Sequence, residues 1–235
     1  MFGAVIWGAV AASSLLCGAL LSMVRTWSDR SIGIVLGFGA GALIASVSFE
    51  LAEDGFHGGG ALPVAIGLAC GAIAYFVASE FVERSGARSG RTTAGTTLAL
   101  GALLDGIPEQ AVLGLGLGAG ESVSIALLVA VFVSNLPESA GSSAEMLQAG
   151  RPRSFVLGLW SVVTVVCIAA TWAGAAVSTA VSTELTAGIK GFAAGALLVM
   201  LVDSMIPDAK EKARDLAGLA TVVGFALAAG MSLMA

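Results

Sequence analysis

The chain has 235 residues, of which 57% are hydrophobic and only 11% charged, against about 25% charged residues in a soluble domain. That deficit excludes an ordinary water-soluble globular protein and places most of the chain in lipid. The net charge of −5 comes without a basic run or an acidic tail, so nucleic acid is not an expected partner.

In chain order, eight stretches reach the roughly 20 apolar residues that a spanning helix needs: 1–24, 31–54, 61–83, 93–116, 122–149, 154–178, 184–208 and 215–234. The first is read as a spanning helix, because it is too long for the apolar core of a leader peptide. None alternates like a barrel strand, and lipid leaves helices as the other option. The expectation is an all-α polytopic membrane protein, one transmembrane domain over residues 1–235 with short connections. The 32 glycines suit close helix contact. Cys17, Cys70 and Cys167 fall in apolar stretches without metal-type spacing and read as small buried hydrophobes.

Basic residues set the topology. Arg25 and Arg30, Arg84, Arg88 and Arg91, Arg151 and Arg153, and Lys210, Lys212 and Arg214 all flank odd-numbered connections. The other face has only Lys190. Both termini are therefore expected on the non-cytoplasmic side, in a plasma (inner) membrane.

Two matches suggest inverted repeats, with helices 1–3 against 6–8 and helix 4 against 5. Gly37–Ile44 reads GFGAGALI in helix 2, and Gly191–Leu198 reads GFAAGALL in helix 7. Asp105–Glu109 reads DGIPE in helix 4, and Ser134–Glu138 reads SNLPE in helix 5. Each pair would run antiparallel, a plan used by carriers with a midplane site. Gly33, Gly37 and Gly41 also form a small-xxx-small seam, which packing alone explains.

An ionised group at membrane depth costs roughly 3 kcal/mol on insertion scales. Asp105 and Glu109 nonetheless share one face of helix 4, and Glu138 and Glu145 one face of helix 5. No Lys or Arg lies at the centre of a helix, so protons or a bound cation must neutralise these acids. Pro108 and Pro137 each precede a glutamate and free the carbonyls of Leu104 and Val133. Carbonyls beside carboxylates suit a hard or borderline cation.

These motifs, DGIPEQ at Asp105–Gln110 and SNLPES at Ser134–Ser139, resemble the x-Pro-Glu signatures of the ZIP (Zrt/Irt-like) metal transporters. The resemblance covers nearly the whole chain, with eight helices and both termini outside. It implies that Asp105, Glu109, Glu138 and Ser134 hold metal, and that Asn135 matches a position used by a second, adjacent ion. Asp105 stands where that family usually has histidine, and Gly106 where it usually has asparagine. Helix 6 offers no acid, only Ser161, Thr164, Cys167 and Thr171. The oxygen-rich set shifts preference toward manganese or iron, although zinc also accepts carboxylates. The family's histidine-rich loop is missing.

Glu50, with Glu53, Asp54 and His57, would mark the outer approach. Glu145, Asp203 and Asp208 would mark the inner exit. Glu80 and Glu83 would pair with Arg84, and Met200 and Met205 would pack. The expected function is a non-enzymatic carrier of zinc or a similar ion (iron, manganese, cadmium) toward the cytoplasm, with no permanent cofactor. Its partners would be divalent metal ions and the lipid bilayer, and the plan is compatible with a homodimer. Two rival readings are a proton-coupled carrier of another small solute and a non-transporting metal-sensing member.

Overall fold

The structure is a computed structural model. It describes the backbone of residues 2–24, 28–89, 94–120, 123–178 and 180–234, with the side chains at 82, 83, 85–89, 94–102 and 105 outside the description. Every regular element among the described residues is helical. The rods are α1 (Phe2–Val24), α2 (Asp29–Gly59), α3 (Ala61–Ser89), α4 (Ala94–Ala119), α5 (Ile125–Gln148), α6 (Arg153–Ser178), α7 (Thr183–Ala213) and α8 (Asp215–Ser232). Seven of them, all but α4, are long and apolar enough among the described residues to cross a bilayer. The protein is a polytopic helical membrane protein.

Local chemistry sets the helix starts. Ser28, Ser124 and Ser182 precede α2, α5 and α7, and each accepts a hydrogen bond from the backbone N–H three residues on. Gly60 and Gly150 lie just past α2 and α5 with φ of 88° and 83°, a conformation only glycine adopts without cost. Three rods outrun the apolar stretches that announced them: α2 continues to Gly59, α3 to Ser89 and α7 to Ala213. Hydropathy reports where lipid ends, whereas backbone hydrogen bonding continues through polar helix formers such as the Ala-Lys-Glu-Lys-Ala run of α7.

Two rods are not uniformly α-helical. Val47–Glu53 in α2 and Leu201–Met205 in α7 are π-helical turns. A π turn absorbs one extra residue and re-aims the side chains beyond it. Both turns hold an acid, Glu50 and Asp203.

α2 packs along α8, and α7 along α3. α1 lies against α5 and α6, and α6 against α4. The two glycine-rich seams match residue for residue. A Cβ on Gly37 or Gly41 would collide with the carbonyls of Ala217 or Thr221, and one on Gly191 or Gly195 with those of Val64 or Leu68. In return, a Cβ on Gly224 would strike the carbonyl of Phe38, and one on Gly71 that of Phe192. Gly41→Ala and Gly195→Ala should each cost about 1–3 kcal/mol by overpacking a backbone contact that cannot give. Gly218→Ala, which meets open space, should not. Thermal melts in detergent check this.

The lipid face is equally plain. Ile66, Ile73, Phe76 and Phe81 of α3 and Leu219, Val222, Val223 and Leu227 of α8 are large, apolar and exposed, as surface in water would not tolerate over such an area. Leu43, Val131 and Leu197 are fully buried at the centre, where α2, α5 and α7 meet.

Candidate functional site

α4 and α5 carry the acids inward. Glu109 is 1% exposed, and Asn135 Nδ2 donates to its Oε2 at 3.4 Å. The next residue, Gln110, is also buried and accepts from Thr171 Oγ1 of α6 at 2.6 Å. Ser134 is buried and donates to the Val131 carbonyl. Ser139 donates to the carbonyl of Asn135 at 2.8 Å, which ties up an acceptor near the Pro137 break.

Glu109, Ser134 and Glu138 line one cavity of about 90 Å³, room for several waters. Its α5 wall runs Ser134, Glu138, Gly141, Ser142 and Glu145, the spacing of one helical face. Met200, Ser204, Met205, Asp208 and Lys212 of α7 close the other side. Along this wall Ser134 and Ser142 are buried, Glu138 is half-buried and Glu145 is exposed. The cavity thus extends from buried Glu109 and Ser134 to exposed Glu145 and Asp208.

A second cavity, of about 400 Å³, opens at the face where α8 ends. Glu50, Glu53 and Asp54 of α2 line it with Val112 and Leu113 of α4, Ser124 of α5, Lys190 of α7 and Ser232. Glu50 is held from two sides: Ser124 donates to Oε2 and Ser232 to Oε1. Among the described residues the two cavities share no lining residue. Glu109 faces the first and Val112 and Leu113, one turn on, face the second. Leu43, Val131 and Leu197 belong to the same apolar cluster as Val112 and Leu113 and lie in the layer between.

Of the residues singled out from sequence, Glu109, Glu138, Ser134, Glu145 and Asp208 border one space, and Asn135 reaches it through Glu109. Asp105 lies on α4, but its side chain is outside the described residues. Among the described residues, no three His, Cys, Asp or Glu side chains converge closely enough to hold a metal ion. Asp203 is exposed and borders neither cavity. Glu50 borders the other cavity. His57 is exposed, 4.0 Å from Glu53, and Glu80 pairs with Arg84. Glu83 is outside the described side chains.

Three features were not foreseen. Lys212 lies one turn beyond Asp208 at the first cavity, although sequence marks it only as a loop charge. Lys190 is buried rather than a stray surface charge. A Cβ on Gly106 would sit 2.9 Å from Cys167 Sγ, so the missing side chain admits a soft sulfur to α4.

No family model matches the chain. Over 192 residues it is 28% identical to the "Putative zinc transporter At3g08650" of Arabidopsis thaliana. The alignment covers 77% of this chain and 30% of that relative, so the chain spans less than a third of the relative's length.

Proposed function

We propose that this protein is a carrier of divalent metal cations, zinc foremost, that moves the ion into the cytoplasm past Glu109 and Glu138. The observation that carries this reading is the pairing of these two carboxylates on one cavity whose polar wall continues through Glu145 and Asp208. Among the described lining residues the one cation is Lys212. A doubly charged ion supplies the neutralisation that carboxylates at membrane depth require. The relative named as a zinc transporter supports the substrate class.

In this reading Asp105 and Ser134 complete the ligand set, and Asn135 orients Glu109. α4 (Ala94–Ala119) is the eighth span. The matched glycine seams of α2–α8 and α7–α3 support an inverted repeat. The lysine and arginine partition supports a cytoplasmic orientation of the first cavity. The described state is then closed by the apolar layer on the outside and open within. Iron, manganese and cadmium are the competing substrates, and Cys167 beside Gly106 favours the softer ions.

A proton-coupled carrier of another solute is the second reading, favoured by the lack of three converging ligands among the described residues. Uptake into proteoliposomes separates the two. Zinc entry, with competition by manganese and cadmium, is expected for the first. A proton flux that no divalent ion alters would support the second.

A further inference from the structure

Lys190 stands where two effects oppose a charged amine. It is 7% exposed, and desolvation disfavours its ammonium. It also lies eight residues after the Ser182 cap, about 12 Å into α7 from the end whose helix dipole repels cations. What balances it comes from α2: Nζ lies 3.4 Å from Asp54 Oδ2. The pair is asymmetric, with the lysine side chain 9% exposed and the aspartate 55%. The end of α2 passes closely over the lysine stem, because a Cβ on Gly55 would touch Val64 Cγ2 at 2.9 Å and approach Lys190 Cβ at 3.9 Å.

Lys190 and Asp54 both border the 400 Å³ cavity, with Glu50 and Glu53. Among the described lining residues, three carboxylates and one ammonium give a formal charge of −2, which one divalent cation cancels. Without the amine, an entering ion would meet three carboxylates and be held more tightly. The amine has no path of its own, being tethered to α7, which also borders the other cavity through Met200 and Asp208.

We propose that Lys190 is a tethered counter-charge that competes with the incoming divalent cation for Asp54, so that the entrance attracts the ion without trapping it. This rests on the transport reading above. Lys190 acts through the entrance carboxylates and is a positioning residue.

The test is initial-rate zinc uptake by proteoliposomes carrying the parent, K190Q, K190R, D54N and the double variant K190Q/D54N. K190Q should lower apparent KM roughly three- to tenfold, from the loss of one like charge near the ion. It should lower kcat as well, because release toward the core slows. The KM difference should shrink at high ionic strength. K190R keeps the charge and should stay near the parent, whereas D54N should raise KM. The double variant restores the formal charge of −2 and should return KM toward the parent value. It also removes both members of the pair, whereas D54N alone leaves the buried ammonium without Asp54. A K190Q protein with parental KM and kcat overturns the proposal. So does a double variant whose KM stays at the K190Q value, since lost packing would not be repaired by removing Asp54. No divalent uptake by the parent would instead overturn the transport reading, and the role of Lys190 with it.

Discussion

Replacing Glu109 or Glu138 by alanine should reduce metal uptake at least roughly a hundredfold, which corresponds to about 3 kcal/mol. Each substitution removes a charge that opposes the ion's desolvation and an oxygen that would hold it. Glu109→Gln sharpens the test. Glutamine keeps a carbonyl oxygen for the Asn135 amide, the contact that Glu109 makes in the buried core, so the helix pair should stay folded while the charge is lost. Glu53→Ala, at a half-exposed side chain, should raise apparent KM and leave kcat near parental, because it only lowers the local ion concentration. Uptake rates and metal-dependent thermal shifts on the purified variants give both readings. Normal uptake by Glu109→Gln at normal expression would remove the glutamate from the transport path.

Gly141→Phe should block transport by tenfold or more while leaving the fold intact. A Cβ at Gly141 meets nothing within 4 Å, so the backbone tolerates a side chain there. The space it enters is the 90 Å³ cavity that holds Glu138 and Glu145, and a phenyl ring would fill most of it. Gly141→Ala adds one methyl, raises helix propensity by about 1 kcal/mol and should transport like the parent. The contrast between the two separates a conducting cavity from an incidental void. Equal uptake by Gly141→Phe and the parent, with both proteins monodisperse and equally stable, would show that the ion does not pass this way.

The helices were legible because lipid imposes a length that few other constraints mimic. Their ends were not: α7 runs to Ala213 on backbone hydrogen bonding that hydropathy does not register. The π turns at Val47–Glu53 and Leu201–Met205 carry no residue signature at all. Glu109 and Glu138 stood out in sequence because an acid at that depth needs a reason, and the cavity brings the two to one space. Asp203 was grouped with Asp208 at the inner exit, yet it is exposed and borders neither cavity. Lys190 carried the least signal. A single lysine near the end of an apolar stretch reads the same whether it is wet or buried, and only the approach of α2 makes it buried. Cys167 was read as a small hydrophobe from its apolar stretch and also as a polar or soft candidate on helix 6, but its approach to Gly106, 61 residues away in sequence, carried no signal.

The most direct measurement is a structure of the purified protein with zinc, or with manganese or cadmium in its place, using anomalous scattering to locate the ion. The carrier reading predicts a peak between α4 and α5 at roughly 2.0–2.5 Å from carboxylate oxygens of Glu109 and Glu138. That peak should vanish in Glu138→Ala. A peak confined to the cavity of Glu50 and Asp54, or no ordered ion at saturating metal, would contradict it.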